Sequence, residues 1–432
     1  MNVPFSNLPR LVIIGGGFAG VALAKKLVKQ PIQLVIIDKH NYHTFQPLLY
    51  QVSTASLEPD SIAYPLRKIV KRGKNTYFRM AEVEAIDPDK QLVKTNIGSI
   101  SYNYLVIATG AKTNFFGNKT IASNAMQMKN LPQALNLRSL MLENLEQAVV
   151  TEDVKKRKEL MRFVLAGAGP TGVELAGGIA ELRANVLPRD YPDMDFSEME
   201  IHLIEGGSRV LSPMSEHASK KATKFLEKLG VTIHLNTQVT SYENNVVSTN
   251  QNLSFETATL IWSAGVTGAP VKGFPKQKFK DKSNRYKVNQ YNQIEGYDNI
   301  FAIGDIAYME TEAFPKGHPM VAQPAIQQGN HLADNFKRSL KGKSMKPFSY
   351  FDKGTMATIG RNKAVVDIGK LKFGGFFAWF IWMFIHLLFL VGFRNKLITL
   401  FNWIYSYINF DKAARLIVRP YKNKEEEGIE RV

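Results

Sequence analysis

Two segments of this chain share one hydrophobic pattern: a short aliphatic run, a glycine-rich turn, and then an amphipathic stretch with helical periodicity. The first begins at residue 10 and reaches its glycines at Gly15, and the second begins at residue 162 and reaches them at Gly167. Each pattern predicts a buried strand, a tight turn and a helix, over residues 10–28 and 162–182. A further strand is predicted after each helix, at 34–37 and 200–204. This alternation predicts an α/β fold with parallel sheets.

The first glycine turn has the residues that a dinucleotide phosphate needs. Gly15 permits the sharp turn, Gly17 lets backbone N–H groups approach a pyrophosphate, and Gly20 lets the helix pack closely on the strand. Asp38, 18 residues beyond Gly20 at the end of the next strand, suits a ribose hydroxyl. An ordinary strand-to-helix turn is the alternative, but the flanking strands and the acid favour a cofactor site. The predicted site also includes Phe18, Ala19 and Lys39.

The second glycine turn repeats this arrangement further along the chain. Its acid is Glu205, 33 residues beyond Gly172, and the extra length indicates a loop inserted at 184–199, where two prolines occur. A carboxylate here repels a 2′-phosphate and favours NADH over NADPH, whereas nearby Arg209 could offer that phosphate a cation or form a surface ion pair. Two nucleotide sites imply that one nucleotide can donate hydride to the other. The predicted contacts are Gly167, Gly169, Pro170, Thr171, Gly172 and Glu205.

A third pattern is an uncharged aromatic stretch near the carboxyl terminus. Residues 373–393 contain seven Phe and two Trp without a formal charge, and a second apolar segment follows at 397–410. The first stretch is long enough to span a bilayer. Its aromatic composition also fits helices that lie in the membrane interface, and a buried dimer interface is a further alternative.

Composition narrows the chemistry. The 432 residues include no Cys, which excludes disulfides, thiolate metal ligands, iron–sulfur clusters and a catalytic dithiol, so redox chemistry would use an organic cofactor and no metal is expected. The formal net charge of +17 predicts an anionic partner. Because the basic residues are scattered without a nucleic-acid motif, an anionic membrane surface is favoured over nucleic acid. The first nine residues lack a signal-peptide pattern, which favours the cytoplasmic side.

Seven motifs together resemble the type II NADH:quinone oxidoreductases, single-chain FAD enzymes of the two-dinucleotide flavoprotein superfamily. They are the glycine turns at 15–20 and 167–174 and the segments 41–50, 104–110, 262–266, 301–305 and 322–329, so the resemblance covers nearly the whole chain. It implies non-covalent FAD and NADH as substrate. The implied FAD contacts are Val83, Ala108, Thr109, Gly110, Gly304, Asp305 and Gln323, and the implied NADH contacts are Ala264, Gly265 and Glu174.

The resemblance also implies chemistry for particular side chains. Glu174 would tune hydride transfer or relay a proton, although the helix dipole alone explains a carboxylate in this first turn. Gln323 and Gln327 fall four residues apart on a helix predicted to open at Ala322, and their amides suit the carbonyl oxygens of a quinone. A solvated polar helix face is the alternative. Gln328 completes the implied quinone site.

The implied architecture is an FAD domain at 1–115 and 275–330, an inserted NADH domain at 116–274, and a C-terminal region at 331–432 whose helices, at about 373–410, lie on one leaflet. Lys363, Lys370 and Lys372 would face anionic headgroups. A homodimer on the cytoplasmic face of the membrane, without proton pumping, completes the expectation. The sequence leaves the type of quinone open. The rivals are a soluble flavoprotein reductase or oxidase and a membrane-anchored nucleotide sensor without catalysis.

Overall fold

The structure is a computed structural model that describes residues 1–71, 73–280, 282–409 and 414–418. Contacts divide these residues into two compact units. The first unit comprises Met1–Thr44, Ala63–Lys112 and Val266–Asp352. The second comprises Phe45–Ile62, Thr113–Gly265 and the described residues from Lys353 onward.

The first unit is built mainly of strands, and three helices accompany them; numbering follows the whole chain. The strands are β1 (Arg10–Ile14), β2 (Gln33–Asp38), β3 (Tyr42–Thr44), β4 (Ala63–Pro65), β5 (Thr76–Met80), β6 (Val83–Asp87), β7 (Leu92–Thr95), β8 (Gly98–Ser101), β9 (Tyr104–Ile107), β19 (Val266–Gly268), β20 (Phe279–Lys280), β21 (Arg285–Lys287), β22 (Ile300–Ala302) and β23 (Ala307–Tyr308). The helices are α1 (Phe18–Leu27), α4 (Leu66–Val70) and α11 (Ala322–Ser339). Strand β10 (Ala111–Thr113) crosses the boundary between the units.

A five-stranded parallel sheet with the order β22-β9-β1-β2-β5 organises this unit. Strand β1 is central, and its last residue, Ile14, pairs with Ile37 of β2 and Ile107 of β9. Gly15 therefore follows at the carboxyl edge of the sheet, between the ends of two neighbouring strands. Crevices at this edge are where open α/β sheets bind ligands.

The continuous aliphatic run of β1 is explained by burial on both faces of the sheet. Leu11 and Ile13 pack in a core with Leu23 of α1 and Phe336 of α11. Val12 and Ile14 pack in a separate core on the opposite face, whose members include Ile86, Val93 and Ile100 from the antiparallel strands β6, β7 and β8.

The second unit contains the second glycine turn and most of the helices. Its helices are α2 (Leu49–Ser53), α3 (Pro59–Ile62), α5 (Lys119–Asn124), α6 (Leu131–Val149), α7 (Val154–Met161), α8 (Pro170–Asn185), α9 (Leu187–Asp190), α10 (Glu216–Lys228), α12 (Phe376–Phe389) and α13 (Phe393–Asn409). Its strands are β11 (Met126–Gln127), β12 (Arg162–Ala166), β13 (Glu200–Ile204), β14 (Thr232–His234), β15 (Val239–Glu243), β16 (Val246–Thr249), β17 (Ser254–Glu256), β18 (Thr259–Trp262), β24 (Thr355–Thr358), β25 (Ala364–Ile368) and β26 (Leu371–Gly375).

A second five-stranded parallel sheet, with the order β11-β18-β12-β13-β14, repeats the plan of the first. Strand β12 is central, and its last residue, Ala166, pairs with Ile204 and Trp262. Gly167 therefore occupies the position that Gly15 has in the first unit. Strands β15, β16 and β17 form an antiparallel sheet whose Tyr242, Val247 and Phe255 share a core with this parallel sheet.

The C-terminal part of the second unit divides the predicted apolar stretch 373–393 into three pieces. Strand β26 ends at Gly375, α12 ends at Phe389, and α13 begins at Phe393. Gly375 and Gly392 have positive φ angles of +107° and +93°, which explains why the chain changes direction there. Of the helices in the described residues, none has the combination of length and apolarity that a membrane crossing requires.

The predicted α/β fold class with two Rossmann-like units and a C-terminal region is confirmed. The helix predicted to open at Ala322 does begin there. The sequence predicts that the two helices begin after the glycine motifs, at Val21 and Val173. Helices α1 and α8 instead start at Phe18 and Pro170, so the last glycine of each motif is already part of the helix. The nucleotide domain limits, 1–115 with 275–330 and 116–274, stay predictions.

Candidate functional site

The first glycine turn is held in shape by backbone contacts. The N–H of Gly15 donates to the carbonyl oxygen of Ile37 at 2.8 Å, and the φ angle of Gly15 is +109°. A Cβ atom on Gly20 would lie 2.0 Å from the carbonyl oxygen of Gly15. The turn therefore requires glycine at both positions, for conformation at the first and for space at the second.

Asp38 closes this turn from the end of β2. Its Oδ2 accepts from the N–H of Gly16 at 2.6 Å, and its Oδ1 accepts from the N–H of His40 at 2.7 Å. Lys39 is exposed beside it. The carbonyl oxygen of Asp38 also accepts from Ala81 at 2.9 Å, two residues before Val83 begins β6. The structure thus brings the predicted residues Asp38, Lys39 and Val83 to one edge of the sheet.

The second turn reproduces these contacts. The N–H of Gly167 donates to Ile204 at 2.7 Å, and the φ angle of Gly167 is +99°. A Cβ atom on Gly172 would lie 1.9 Å from the carbonyl oxygen of Gly167. Glu205 takes the place of Asp38: its Oε2 accepts from Ala168 at 2.7 Å and its Oε1 from Gly207 at 2.8 Å. The extra residues before Glu205 form the short helix α9 and a 3₁₀ turn at Phe196–Glu198, so the inserted segment leaves the motif intact.

Arg209 is engaged by the protein's own backbone. Its Nη1 donates to the carbonyl oxygen of Met214 at 2.8 Å, and its Nη2 donates to that of Ser212 at 2.7 Å. Neither alternative considered for this residue, a phosphate ligand or a surface ion pair, describes these contacts. That the carboxylate of Glu205 faces a nucleotide stays a prediction.

Both turns fit a nucleotide phosphate. The helices α1 and α8 begin after Gly17 and Gly169, and no side chain among the described residues caps the N-terminus of either helix. A Cβ atom on Gly17 or Gly169 would have no described atom within 4 Å. Phe18 and Ala19 in α1, and Pro170 and Thr171 in α8, complete the first turns. A helix N-terminus without a side-chain cap, beside open space, is the arrangement that binds anions.

The turns after β9 and β18 lie against the glycine turns of their own units. The N–H of Ala108 donates to the carbonyl oxygen of Ile14 at 2.7 Å. The carbonyl oxygen of Ala108 lies only 2.3 Å from where a Cβ on Gly15 would be. Thr109 and Gly110 follow, both half-buried. In the second unit the Cα of Ala264 lies 2.5 Å from where a Cβ on Gly167 would be, and Gly265 follows. These predicted residues therefore border the two turns.

Gly304 lies directly against the first glycine turn and against helix α11, and Asp305 follows it. Gly304, with a φ angle of +76°, lies so close to Ala19 that a Cβ atom would be 3.2 Å from the Ala19 Cβ. A Cβ on Gly329 would lie 2.4 Å from the carbonyl oxygen of Ala19. Asp305 is half-buried in the 3₁₀ turn that follows β22. The first glycine turn, the Gly-Asp motif and α11 therefore form one cluster within the first unit.

The three glutamines predicted for quinone have different environments. Gln328 is 1% exposed, and its Oε1 accepts from the N–H of Gly304 at 2.6 Å, a placement that holds the Gly-Asp turn and leaves no surface for a ligand. The amide of Gln327 pairs with the backbone of Phe351, with distances of 2.8 and 3.0 Å. Gln323 is half-buried in the first turn of α11. Gln323 and Gln327 share the more accessible face of α11.

Glu174 is a buried carboxyl group in the first half of α8. It is 8% exposed, and its Oε1 accepts from the N–H of Thr358 in β24 at 3.4 Å. Burial is the main cause that raises the pKa of Glu174 from 4.5 to about 8, and the hydrogen bond from Thr358 opposes that shift. A carboxyl group with this pKa can bind and release a proton near neutral pH.

Comparison with known proteins decides the family. Residues 9–329 match the pyridine nucleotide-disulphide oxidoreductase family, and residues 353–409 match the NDH2 C-terminal domain. The type II NADH:quinone oxidoreductase Ndh of Mycobacterium tuberculosis is 36% identical over 93% of this chain and 88% of its own length. NdhA of the same organism, which has the same description, is 37% identical over 92% of this chain and 87% of its own length.

The chain belongs to the type II NADH:quinone oxidoreductase family. The predicted resemblance and the predicted class of enzyme are both confirmed. A solved structure of NDH2 from Plasmodium falciparum in complex with NADH has the same fold, with a TM-score of 0.87 over 96% of this chain and 100% of that chain at 20% identity.

The region that matches the family's C-terminal domain presents an apolar surface. Along α12 the residues Phe376, Phe380, Phe384 and Leu388, spaced by four, are each more than half exposed. On α13 the exposed apolar residues include Phe393, Phe401 and Ile408, whereas Asn395 and Thr399 are buried. Both helices therefore turn apolar side chains outward, and α13 turns polar ones inward. We call these outward side chains of α12 and α13 the aromatic face.

Sequence reasoning missed the partners of Glu174. Thr358 follows it by 184 residues, and no local pattern connects the two. The adjacent glycines Gly177 and Gly178 in α8 were a usable signal, because paired glycines inside a helix indicate close packing. A Cβ on Gly177 would lie 3.0 Å from the backbone of Ile359, immediately after β24. The C-terminal sheet thus packs directly on the helix that carries Glu174.

Proposed function

We propose that this protein oxidises NADH through a non-covalently bound FAD and reduces a membrane quinone, without moving protons across the membrane. The observation that carries the proposal is the duplication of an uncapped glycine turn with its acid, once in each unit. Two such turns in one chain support a hydride donor and a hydride acceptor in the same enzyme. When bound, the flavin supplies the chemistry that joins two-electron oxidation of NADH to reduction of quinone.

In this proposal the first unit holds FAD. The N–H groups at the start of α1 bind the pyrophosphate, and Asp38 holds a ribose hydroxyl. The Asp305 side chain meets the ribityl or phosphate region, and Gln328 supports that contact by fixing the N–H of Gly304. Val83, Ala108, Thr109, Gly110 and Gln323 line the rest of the FAD site.

The second unit holds NADH in the corresponding way. The start of α8 binds the NADH pyrophosphate, Glu205 holds the ribose, and Ala264 and Gly265 border the nucleotide. Because Glu205 is negatively charged, it disfavours the 2′-phosphate of NADPH. The contacts that Arg209 makes with backbone carbonyl oxygens support this preference.

Glu174 is proposed as the proton-carrying group. Its pKa of about 8 suits exchange of a proton at neutral pH, and burial beside β24 keeps bulk water from competing. Gln323 and Gln327 are proposed to position the quinone head group, since a glutamine amide can donate to its carbonyl oxygens. For Gln327 the second N–H of the amide would do so, because the first donates to Phe351.

The aromatic face is proposed to lie in one leaflet of an anionic membrane, where a lipophilic quinone is dissolved. Phe380 and Phe384 are 55% and 56% exposed, and apolar side chains at this density need cover. Lys363, Lys370 and Lys372 would meet the headgroups. The cytoplasmic face of the membrane and a homodimer remain parts of the proposal, and no nucleic-acid partner is included.

The test is anaerobic stopped-flow on detergent-purified protein. Flavin bleaching by NADH is compared with bleaching by NADPH, and a short-chain quinone is then added. Rapid bleaching that prefers NADH, followed by rapid reoxidation by quinone, is the expected result. Bleaching without reoxidation by quinone would favour a soluble-type flavoprotein reductase instead, and protein purified without flavin would contradict the FAD assignment.

The absence of proton pumping is tested separately. The protein is incorporated in sealed vesicles that contain quinone, and NADH is added outside in the presence of a pH-sensitive dye enclosed in the lumen. Quinone reduction without a change in the lumenal pH is the expected result. An uncoupler-sensitive change in lumenal pH that follows NADH addition would contradict it.

A further inference from the structure

The two glycine turns differ in how the carbonyl oxygen of their second residue is held. In the second turn the backbone N–H of Leu211 donates to the carbonyl oxygen of Ala168 at 2.8 Å. In the first turn the corresponding oxygen, that of Gly16, lies 3.0 Å from Nδ1 of His43. Each partner lies a few residues beyond the acid of its turn. A histidine ring in the first unit therefore takes the place that a main-chain N–H has in the second.

This carbonyl oxygen controls the direction of a neighbouring N–H group. The C=O of Gly16 and the N–H of Gly17 belong to one trans peptide group. Such a group is planar, and its C=O and N–H point in opposite directions, so a donor that fixes one also fixes the other. Gly17 is exposed at the start of α1, beside open space. The contact with His43 therefore sets an N–H at the helix N-terminus, where a phosphate would bind.

The environment of His43 decides which ring nitrogen carries the proton. The side chain is 1% exposed, and burial lowers its pKa to about 4, so the imidazole is neutral at pH 7. A neutral imidazole has one N–H, and a carbonyl oxygen can only accept. The proton therefore lies on Nδ1, and Nδ1–H donates to the carbonyl oxygen of Gly16.

The rest of the His43 ring is held by packing. The ring meets that of Phe18, the first residue of α1, in an edge-to-face arrangement with centroids 5.1 Å apart. Its Nε2 is buried and has no hydrogen-bond partner among the described residues. A buried acceptor without a partner is unfavourable, and an apolar side chain would avoid that cost. The hydrogen bond that Nδ1 makes explains why a histidine is present.

Asp38 and His43 act on successive peptide groups of the first turn. The N–H of Gly16, which belongs to the peptide group before that residue, donates to Oδ2 of Asp38 at 2.6 Å. The C=O of Gly16 belongs to the peptide group after it and accepts from His43. Asp38 alone therefore leaves the second of these groups free to rotate, and His43 removes that freedom.

We propose that His43 is a positioning residue of the flavin site: its Nδ1–H holds the carbonyl oxygen of Gly16 and thereby directs the N–H of Gly17 toward the pyrophosphate of FAD. The inference rests on the proposed function in taking the first turn as the FAD site. His43 acts through the turn and not as a ligand of the cofactor. In the second unit the main chain at Leu211 has this task, so a side-chain substitution can remove the donor only in the first unit.

The experiment measures the affinity of the flavin-depleted full chain for FAD, from the quenching of flavin fluorescence in detergent solution. Asparagine and leucine branch alike at Cγ, so His43→Asn and His43→Leu lose the ring equally. Asparagine alone keeps an N–H on an atom bonded to Cγ, as Nδ1 is, and can donate to Gly16. The dissociation constant for FAD should be about 10-fold higher in His43→Leu than in His43→Asn, because leucine leaves a buried carbonyl oxygen without its donor.

Two further variants complete the titration. His43→Gln places its amide one bond further from the backbone, at the distance of Nε2, so it should bind FAD as weakly as His43→Leu; it decides the question if His43→Leu does not fold. His331→Leu is the control. His331 is half-buried in α11 of the same unit, where its ring packs on Phe348 with centroids 5.4 Å apart, and its substitution should leave the affinity for FAD unchanged.

The position of the proton is measured on the wild-type protein. Nitrogen-15 spectra of the histidine-labelled full chain are recorded at pH 7, and the signals absent from His43→Asn are assigned to His43. The expected result is a protonated Nδ1 and an unprotonated Nε2. A proton on Nε2 instead would overturn the inference, because Nδ1 could then not donate to Gly16.

Equal affinity for FAD in folded His43→Asn and His43→Leu also overturns the inference, whether both match the wild type or both are weakened. An equal loss in His331→Leu does the same. Failure of the proposed function has a different signature: the wild-type chain itself would bind no FAD, which would contradict the FAD assignment together with any role of His43 toward FAD. The nitrogen-15 spectra would still report the contact between His43 and Gly16.

Discussion

Helices α1 and α8 start in the same way and are used differently. Each follows a glycine with positive φ, an open glycine at the helix start and a third glycine pressed on the first, and each turn is bound by an acid from the next strand. Two residues beyond the third glycine the helices differ in the side chain they carry: α1 has Ala22, and α8 has Glu174.

The neighbours of the two helices explain that difference. Helix α1 packs on α11, and a Cβ on Gly329 would lie 3.1 Å from the Cβ of Ala22, which leaves space for a methyl group only. Helix α8 packs on the C-terminal sheet, where the N–H of Thr358 is available to a carboxyl group. The glycine turn, which is what a phosphate requires, is the same in both units. The side chains that face the packing partner differ, an alanine against α11 and a glutamate against β24.

The largest effects should come from adding a Cβ atom to the third glycine of each turn, which lies against the carbonyl oxygen of the first glycine. Gly20→Ala and Gly172→Ala would place a Cβ 2.0 and 1.9 Å from a carbonyl oxygen, so each turn must distort. Overpacking of this kind costs about 1–3 kcal/mol, and a cost of that size placed on the turn that binds the phosphate corresponds to roughly 5- to 150-fold in nucleotide affinity. Gly20→Ala should lose flavin, measured by absorbance, whereas Gly172→Ala should keep flavin and bleach slowly with NADH.

Gly17→Ala and Gly169→Ala are the matched controls for that comparison. Because no described atom lies within 4 Å of the added Cβ, both proteins should fold with the wild-type melting temperature. Gly17→Ala should nevertheless lose the same nucleotide as Gly20→Ala, and Gly169→Ala the same nucleotide as Gly172→Ala, since the methyl group occupies the space of the phosphate. Loss of flavin from the Gly172 variant instead of the Gly20 variant would exchange the assignments of the two turns.

The difference between Ala22 and Glu174 should appear in the pH dependence of stability. The folded protein binds a proton at Glu174 more tightly than the unfolded chain does, because the pKa rises from 4.5 to about 8. Stability from this group is therefore complete below pH 4.5 and is lost as pH rises to about 8, by on the order of 4 kcal/mol. Denaturant unfolding of Glu174→Gln should show a smaller loss between pH 5 and 8.5 than that of the wild type.

Glu227→Gln, on the exposed surface of α10, is the control for this measurement and should behave like the wild type. Equal pH dependence in the wild type and in Glu174→Gln would contradict the burial argument. It would mean that water reaches the carboxyl group and keeps its pKa near the unfolded value.

The smallest effect should be on the preference for NADH over NADPH, and it should distinguish Glu205 of the second turn from Asp38 of the first. Glu205→Gln removes a charge that opposes a 2′-phosphate, and it replaces one of two acceptors of backbone N–H groups. The preference for NADH over NADPH, measured as the ratio of kcat/KM values, should fall about 10-fold, a change of about 1.4 kcal/mol. Asp38→Asn should leave that ratio unchanged and should lower flavin retention instead. A change in the ratio with Asp38→Asn would contradict the separation of roles.

The sequence predicted the features that depend on neighbouring residues. The glycine turns, the flanking strands, the acids and the start of α11 are all encoded in short patterns, and the structure has them. The environments of particular side chains could not be predicted, because they depend on distant segments. Gln328 was expected to meet a ligand and instead binds the N–H of Gly304, and the partner of Glu174 comes from a strand 184 residues away.

Helix α13 has an inward face whose residues must be kept when the protein is redesigned and an outward face whose residues can be exchanged. Asn395, Thr399 and Trp403 point into the protein, and the hydrogen bonds that Asn395 and Trp403 donate to Asp60 and Gln51 hold the helix in register. The outward residues Phe393, Phe401 and Ile408 are 77%, 65% and 68% exposed, and none of them belongs to a buried core of the described residues. Polar replacements confined to that outward set, together with Phe380 and Phe384 of α12, are therefore the rational starting point for a detergent-free form of the protein that keeps its internal architecture.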